Sequence, residues 1–398
     1  MPINPNKPPN TPGIATQNVI PVREPGIFQE RGVVPAQEVT GFTGCRVYLT
    51  MERKPPEDPK SDQRNEDNVL ADPRTGLMGV MDGLGGVSHG DLASKAVERL
   101  LPKAFTEALT AVSAETAGVL ANRLAKSQKQ KLTGLGDPDA IAEKLEEMKT
   151  KLTKADPAIV RKAWALIKAL RDINEQVRGS GGMTTACIGM VHETPKGSRY
   201  AIVANVGDSG AFIRRKDGTV ERLTTEDSQL DELMRCGIQI GDQTLKDHLN
   251  SLRDRRTGKI NMKTVIKIPI TPESCRVFGY SEKGCELLMK SNQKTFDQEY
   301  GNLKVAVNRA LGDKTPPVPS LEIVKLESGD EILFCTDGVI DKYENEQTGD
   351  TDLSELSMDL ELADDALDQL DTLRVISAQR RVHFKYIDDI AIVMAAIK

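Results

Sequence analysis

Six aspartates, widely scattered along the chain, each stand at the end of a short apolar run. They are Asp67, Asp82, Asp208, Asp313, Asp337 and Asp388. An aspartate at the end of a strand can turn inward beside others of its kind, and bound cations make such crowding of like charges tolerable. This placement predicts an enzyme whose active site is assembled around metal ions.

The segment around Asp82 carries the strongest local signal. An apolar run ends at Met81, and the glycine-rich turn Gly83-Leu84-Gly85-Gly86 follows the acid, so the backbone can approach a ligand closely. The turn is not a dinucleotide fingerprint, because the sixth position counted from Gly83 is Ser88 and the acid precedes the turn. Since Asp-Gly is a common turn dipeptide, an ordinary turn is the alternative for this segment taken alone.

Other short motifs follow this segment along the chain. In order, they are Gly181-Gly182-Met183-Thr184-Thr185-Ala186, Gly207-Asp208-Ser209, Arg309-Ala310-Leu311-Gly312, Thr336-Asp337-Gly338 and Asp388-Asp389-Ile390. Together with Asn65-Glu66-Asp67 and the turn after Asp82, this series resembles the motifs of the metal-dependent protein phosphatases of the PPM (type-2C) family, in the family's order. The resemblance covers residues 42–398.

The resemblance implies a fold of the α+β class, a four-layer α-β-β-α sandwich in which helices flank two mainly antiparallel sheets. It also implies metal-dependent hydrolysis of phosphoserine and phosphothreonine in proteins by a metal-activated water. The partners are then a phosphorylated protein substrate and a cognate Ser/Thr kinase or regulator. A catalytically inactive phosphoprotein-binding scaffold is the alternative, and the retained acids argue against it because a pure binder has no need to hold like charges together.

By the same resemblance, the site binds two Mn²⁺ or Mg²⁺ ions and a weaker third ion. These hard cations prefer oxygen ligands, and the sequence contains no cluster of His or Cys suited to zinc. The predicted ligands are Glu66 and the Gly83 carbonyl for the second ion, Asp337 and Asp388 for the first, Asp82 between the two, Asp67 through water, and Asp208 with Asp341 for the third. Asp82, Asp337 and Asp388 are the predicted catalytic residues.

Two positions near these acids depart from the family's pattern. Leu84 stands where many eukaryotic members have a histidine proposed as general acid, and this points to the bacterial branch. The proton for the leaving group would then come from metal-bound water or from an unassigned acid. His89 is one candidate, although a histidine at a helix start is more often structural. Asp389 replaces the family's usual Asn. Its negative charge either tightens metal binding, or its side chain simply faces solvent.

The family's phosphate-binding arginine is displaced in this chain. It usually lies four residues before the motif glutamate, but Asp62 occupies that position here. Arg64, two residues before Glu66, keeps the same side of an extended strand and lies about 7 Å further along it. Because a planar guanidinium can hold two phosphate oxygens, Arg64 is the predicted phosphate-binding residue, and an ordinary surface charge is the alternative.

Composition excludes several classes of protein. The 398 residues have a formal net charge of -6 and a pI near 5.5, which argues against general binding to nucleic acid or to anionic membranes. No apolar stretch reaches the roughly 18 residues of a membrane helix, and the start lacks the layout of a signal peptide. The six cysteines include no C-x-x-C pair, so reduced buried thiols and a cytoplasmic location are expected.

Prolines concentrate in residues 1–40, which are predicted to form a disordered tail. A single phosphatase-type domain is expected over residues 41–398, with insertions at about 110–178 and 230–302. In the first insertion, residues 128–154 carry charges at i,i+4 spacing and predict a solvated helical segment, with a partner-binding arm as the alternative. The second insertion lies where the family has a variable flap that sets substrate choice.

Short β-branched runs predict strands, and apolar residues spaced three and four apart predict helices. The predicted strands are 45–50, 77–81, 186–191, 200–206, 211–214, 303–307, 331–335 and 390–395. Helices are predicted over 91–109 and 157–177. The acidic stretch 341–371 is expected to be an amphipathic helix with a charged outer face, and a regulatory surface for a basic partner is the alternative.

Overall fold

A computed structural model describes residues 33–54, 64–84, 89–132, 138–253, 260–261, 263–291, 293–305, 307, 309–343, 352–363, 365–380 and 388–398. Its strands are β1 (Val33–Val39), β2 (Cys45–Glu52), β3 (Asn68–Asp72), β4 (Leu77–Met81), β5 (Ala186–Glu193), β6 (Arg199–Val206), β7 (Gly210–Arg214), β8 (Val220–Arg222), β9 (Gln239–Ile240), β10 (Gln243–Thr244), β11 (Val265–Pro269), β12 (Thr295–Glu299), β13 (Ser320–Leu326), β14 (Glu331–Cys335) and β15 (Ile390–Ile397). Its helices are α1 (Gly90–Ala111), α2 (Ala117–Leu132), α3 (Pro138–Lys154), α4 (Pro157–Asp172), α5 (Asn174–Arg178), α6 (Gln229–Arg235), α7 (Leu245–Leu252), α8 (Pro272–Val277), α9 (Glu282–Lys290), α10 (Tyr300–Val305), α11 (Asp337–Ile340), α12 (Leu353–Leu360) and α13 (Ala366–Arg380), with a 3₁₀ turn at Asp341–Tyr343.

Two antiparallel sheets stack face to face at the centre of the fold. The first sheet has the strand order β1-β2-β15-β14-β7-β8, and the second has the order β13-β6-β5-β4-β3. Their strand pairs are antiparallel throughout. Helices α1 and α4 pack on the outer face of the second sheet, and α12 and α13 pack on that of the first. The layers therefore run α-β-β-α, and the predicted fold class is confirmed.

Strand β15 shows why the central strands are apolar throughout. Ala391 and Val393 lie in the core between the two sheets, whereas Ile390 and Ile392 pack toward the helices outside. Successive side chains of a strand face opposite sides, and because both sides are covered here, a continuous apolar run replaces the alternation of an exposed sheet. Strands β4, β6 and β14, which end just before three of the candidate acids, are buried on both faces in the same way.

The predicted tail ends earlier than expected. Residues 33–39 form β1, so the boundary predicted at residue 40 is wrong. Val34 is buried, and β1 pairs with β2 at the edge of the first sheet, with a register shift between Val34 and Gln37. Pro35 lies within this irregularity, and an edge strand tolerates a residue without an N–H. Residues 1–32, which make up the rest of the predicted tail, lie outside the described residues.

The first insertion is docked on the second sheet through the end of α2. Gln128 is buried; its amide donates to the carbonyl of Pro319 at 3.0 Å and accepts the N–H of Leu321 at 3.1 Å. One turn later, the ammonium of Lys131 donates to Asp227 in the interior. The prediction of a solvated segment is therefore wrong for the end of α2. The prediction of a solvated segment fits α3 better, because Lys151 pairs with Glu147 on the surface of that helix.

The second insertion forms a small unit with its own apolar core. Helices α6–α10 and strands β9–β12 surround this core, and a bridge between Ser228 and Val307 joins its two ends. The strand predicted at 303–307 is wrong, because Tyr300–Val305 forms helix α10 and Leu303 is fully buried in the core of the insertion. A short apolar run does not distinguish a strand from a buried helical turn, and packing decides the outcome here.

The two predicted helices are confirmed, the first as α1 and the second as α4 followed by α5. The acidic stretch contains two helices, α12 and the start of α13, and Leu356, Leu360 and Leu370 bury their apolar side against the first sheet. Residues 344–351 and 364 of this stretch lie outside the described residues. Within the described ranges, no helix is both long enough and apolar enough to cross a membrane.

All six cysteines are free, and all but Cys236 are buried. Burial raises the pKa of Cys45 to about 11 and that of Cys335 to about 12. These two thiols therefore stay protonated and poorly reactive near neutral pH. The cysteines match the reduced, buried thiols that the sequence predicts.

Candidate active site

Three carboxylates converge from the two sheets. Asp82 follows β4, Asp208 follows β6 and Asp337 follows β14, and one oxygen from each lies within 4.8 Å of the other two. Because β4 and β6 belong to the second sheet and β14 to the first, the cluster lies where both sheets end. These three predicted site residues are thus brought together although the sequence separates them widely.

Asp82 is buried and Asp208 and Asp337 are half-buried, and the charge of the cluster is unbalanced without a cation. Burial raises the pKa of Asp82 well above its usual range, and the charges of Asp337, Asp67, Asp208 and Asp388 raise it further. Burial likewise raises the pKa of Asp208, with Asp337 as the next cause, and among the described residues Asp208 Oδ1 has no hydrogen-bond partner. Several crowded, desolvated oxygens fit a hard divalent cation, which would offset this repulsion.

The backbone of Asp82 is held by two threonines. Its N–H donates to Thr185 Oγ1 at 3.0 Å, and its carbonyl accepts from Thr184 Oγ1 at 2.7 Å and from the Thr185 N–H at 2.8 Å. Thr185 Oγ1 in turn lies 2.7 Å from the hydroxyl of Ser209. This buried chain ties the loop after β4 to the loop that carries Asp208, so the two acids are positioned together.

Asp67 is linked to the cluster through Thr336. The Thr336 hydroxyl donates to Asp67 Oδ2 at 2.7 Å and accepts the N–H of Ala391 at 3.0 Å. Asp67 is buried, and its desolvation, followed by the charges of Asp389 and Asp388, raises its pKa well above the usual range. Thr336 therefore joins the ends of β14 and β15 to the segment before β3.

Glu66 and Gly83 meet at the start of α1. The carboxylate oxygen Oε1 of Glu66 and the carbonyl oxygen of Gly83 would each lie 3.0 Å from a Cβ atom built on Gly90, so the two oxygens are neighbours. A Cβ on Gly83 would come within 2.4 Å of the Gly90 carbonyl oxygen. Glycine is thus required at both positions, because a Cβ at either one would push the loop after β4 and the start of α1 apart.

Asp388 and Asp389 play different parts at the start of β15. Asp389 is buried, and its two carboxylate oxygens accept the backbone N–H of Lys54 at 2.6 Å and that of Glu66 at 2.8 Å. The alternative that Asp389 faces solvent is therefore wrong. Asp388 Oδ1 accepts from the ammonium of Lys54 at 3.3 Å.

Within the part of the chain that the structure describes, Lys54 is a cation that contacts two of the predicted ligands. Its Nζ is 3.3 Å from Asp388 Oδ1 and 3.8 Å from Glu66 Oε2. Burial disfavours the charged ammonium, but the neighbouring carboxylates outweigh this, so the pKa of Lys54 is raised. The ammonium therefore remains charged and neutralises part of the acidic site.

Arg64 and Asp341 lie at the margin of the site. The Arg64 side chain is 60% exposed, and its guanidinium pairs with Asp91 at 3.3 Å, which Lys95 also contacts at 3.3 Å. Asp341 is itself exposed and begins the 3₁₀ turn after α11, and its charge contributes to the raised pKa of Asp208. The guanidinium of Arg64 is thus paired with a carboxylate of α1.

His89 has a backbone role at the start of α1. Its φ is 77°, and within the described residues it is the one non-glycine residue with positive φ. Its carbonyl accepts the N–H groups of Leu92 and Ala93. A left-handed conformation is costly for a residue with a side chain.

Asp313 is not one of the three clustered acids. Its carboxylate accepts the N–H of Lys314 in a turn.

Sequence reasoning misses several residues that build this site. Thr185, Ser209 and Thr336 stand inside the recognised motifs, and their hydroxyl groups beside the acids were the available signal. Lys54 gives no such signal, because its contact with Asp388 joins residues 334 positions apart. That contact depends on β2 and β15 being neighbours in the first sheet.

Comparison with known proteins places the chain in a family. The sequence model of the family described as protein phosphatase 2C matches residues 58–373, which is more than half of the chain. The chain therefore belongs to the protein phosphatase 2C family, and the predicted membership is confirmed. The metal dependence of this family agrees with the cluster of Asp82, Asp208 and Asp337.

Three of the solved structures that resemble this chain are bacterial. PppA, a key regulatory component of T6SS in Pseudomonas aeruginosa, is 16% identical, with 90% of this chain and 99% of that chain covered and a TM-score of 0.45. The serine/threonine phosphatase Stp1 of Staphylococcus aureus is 18% identical, with 92% and 100% covered and a TM-score of 0.46. The serine/threonine phosphatase PstP/Ppp of Mycobacterium tuberculosis is 16% identical, with 89% and 99% covered and a TM-score of 0.42. None of the curated protein sequences matches the chain.

Proposed function

We propose that this protein hydrolyses phosphoserine and phosphothreonine in other proteins, with Mn²⁺ or Mg²⁺ as cofactor. The observation that carries the proposal is the convergence of Asp82, Asp208 and Asp337 from both sheets, in a chain of the protein phosphatase 2C family. Like charges that are crowded and partly desolvated are unfavourable without bound cations, so a protein with no use for metal gains nothing by keeping them.

The ligands divide between two neighbouring groups of oxygens. Asp82, Asp337 and Asp388 would hold one ion, and Asp82 with Glu66 and the Gly83 carbonyl would hold the other. Asp208 and Asp341 would complete a weaker third site, and Asp67 would support the set through water. When bound, the ions would neutralise the phosphate dianion and lower the pKa of a water for in-line attack.

The residues of the chain itself position this chemistry. Thr185 and Thr184 fix the backbone of Asp82, and Thr336 orients Asp67. Leu84 has no proton to give, so the proton needed by the leaving serine or threonine oxygen does not come from that position. The second insertion, with its separate core, is the proposed determinant of which phosphoprotein enters, and a cognate kinase or regulator is a further proposed partner.

Metal-dependent turnover tests the proposal directly. We expect the wild-type protein to hydrolyse p-nitrophenyl phosphate and phosphoserine and phosphothreonine peptides only with Mn²⁺ or Mg²⁺. The Asp82→Asn and Asp337→Asn variants should lose this activity while circular dichroism shows an intact fold. The exposed Asp172→Asn variant, a matched control, should keep it. Full activity in either site variant, or activity that survives complete chelation, would overturn the proposal. Metal binding without hydrolysis of any phosphopeptide would favour a scaffold.

A further inference from the structure

Two basic residues lie near the predicted ligands, and their surroundings differ. The Lys54 side chain is 25% exposed and contacts both Asp388 and Glu66. Arg64, the predicted phosphate-binding residue, is mostly exposed and is held by Asp91 on α1. Asp91 is buried. If Arg64 moved away, Lys95 would be the one remaining ion-pair partner of the Asp91 carboxylate among the described contacts.

The backbone of Lys54 is anchored independently of its side chain. Its N–H donates to Asp389 Oδ1 at 2.6 Å, and the other oxygen of that carboxylate holds the N–H of Glu66. A lysine has a flexible four-carbon stem, so its ammonium can swing while the main chain stays fixed. The Lys54 ammonium can therefore move over a short distance near the predicted ligands while its backbone stays in place.

A divalent cation bound by Glu66 and Asp388 would compete with the Lys54 ammonium for the same carboxylates. Like charges a few ångströms apart repel, so metal loading would drive the ammonium away from that pair. A substrate phosphate, which is a dianion, would then be the favourable partner within reach.

We propose that Lys54 binds the phosphate group of the substrate, and that without metal it serves as the counter-ion of Glu66 and Asp388. This inference rests on the proposed phosphatase function, and it assigns to Lys54 the part expected of Arg64. Asp389 is then a positioning residue, because it fixes the Lys54 backbone and touches no substrate itself.

Three variants and two binding measurements test the inference. In Lys54→Met, calorimetric titration should show that Mn²⁺ binds at least roughly fivefold more tightly than to the wild type, since a competing charge is gone. Inorganic phosphate should bind the Mn²⁺-loaded variant roughly 10-fold or more weakly, the usual loss for a charged hydrogen bond. KM for p-nitrophenyl phosphate should rise by a similar factor, with a smaller change in kcat. Lys54→Arg keeps the positive charge and should bind phosphate nearly as well as wild type. Arg64→Met should bind phosphate with wild-type affinity.

Wild-type phosphate affinity in Lys54→Met would overturn the substrate role even if Mn²⁺ binds more tightly. A loss of phosphate affinity in Arg64→Met equal to that expected for Lys54→Met would also overturn it. Because phosphate binding is measured without turnover, the test separates the two proposals. A wild-type protein that binds phosphate through Lys54 but hydrolyses nothing would support the inference and refute the proposed activity.

Discussion

Lys131 and Asp227 form an ion pair inside the protein, with 2% and 0% of their side chains exposed. The other oxygen of Asp227 accepts the N–H of Gly207 at 3.2 Å, and Arg235 approaches the pair at 3.7 Å. Gly207 immediately precedes Asp208, so a residue from the first insertion helps to position the loop that carries a candidate metal ligand. The insertion is thus a structural part of the site.

Replacing Lys131 by Met should lower the free energy of unfolding by about 3–5 kcal/mol, because it leaves the Asp227 carboxylate buried without its closest cation. Urea denaturation measures the change. The control is Lys151→Met on α3, where 73% of the side chain is exposed; it should alter stability by no more than about 0.5 kcal/mol. A double variant, Lys131→Met with Asp227→Asn, should recover part of the loss. Equal stability of Lys131→Met and wild type would contradict this account.

Thr336→Val should weaken Mn²⁺ binding by roughly 10–100-fold, the usual effect of losing a group that orients a metal ligand. The hydroxyl of Thr336 donates to Asp67 and accepts from the Ala391 N–H, and valine can do neither. Thr336→Ser keeps the hydroxyl and should bind Mn²⁺ nearly as well as wild type. Calorimetric titration of both variants decides the matter, and equal affinities would show that the hydroxyl has no such role.

The metal-free protein should lose stability as the pH rises. The folded state raises the pKa of Asp67, Asp82 and Asp208 above the ordinary value of 3.8. In the window from that value up to the raised pKa, the folded state binds more protons than the unfolded state, so stability falls by about 1.4 kcal/mol per pH unit for each group. Thermal unfolding in EDTA from pH 5.5 to pH 8 should show a falling Tm, and Mn²⁺ should raise Tm most at pH 8. A Tm in EDTA that rises over this range would disprove the expectation.

Asp389→Asn should release the backbone at Lys54 and Glu66. Both carboxylate oxygens accept an N–H, whereas an amide offers one acceptor and turns its own NH₂ toward the second donor. Losing one such bond corresponds to roughly 10-fold faster amide hydrogen exchange at one of these two positions. The amide of Val80, in the middle of β4, is the internal control and should exchange as before. Unchanged protection of the Lys54 and Glu66 amides from exchange would show that the Asp389 carboxylate does not hold these two N–H groups.

Gly338→Ala should be strongly destabilising, since a Cβ there would lie 1.8 Å from the carbonyl oxygen of Asp389. The neighbouring strand would have to move, at a cost of about 1–3 kcal/mol or more. Gly118→Ala is the matched control: a Cβ at that position in α2 meets nothing within 4 Å. It should stabilise the helix by about 0.5–1 kcal/mol. Urea denaturation of both variants should therefore give changes of opposite sign, and changes of the same sign would refute the packing argument.

The strands that the sequence predicts are those in the interior of the two sheets. Strands β4 and β14 are predicted to the residue, because both faces of each are buried and their apolar runs are unbroken. The strands that the sequence does not reveal in these sheets are β1, β8, β3 and β13, which are the four edge strands. An edge strand buries less of its surface, so polar residues such as Glu322 and Lys325 interrupt its pattern.

The acids of the site could be predicted because each stands in a short motif with a recognisable neighbour. What could not be predicted is how the fold uses the residues between motifs. Arg64 has the right chemistry and the expected side of the strand, although not the expected spacing, and it pairs with Asp91 on α1. Lys54 has no motif, and it reaches the site because the end of β2 lies beside the start of β15. Local spacing carries no information about such long-range neighbours.

The second insertion meets the rest of the protein where Ser228 pairs with Val307, and Glu232 of its helix α6 also pairs with Arg309 at 2.6 Å. Its apolar side chains bury one another, so its sequence can drift without disturbing the sheets beneath. Under the proposed function, a chimaera that exchanges this unit but keeps Glu232 and Arg235 would change which phosphoprotein is accepted and leave the three-acid cluster in place.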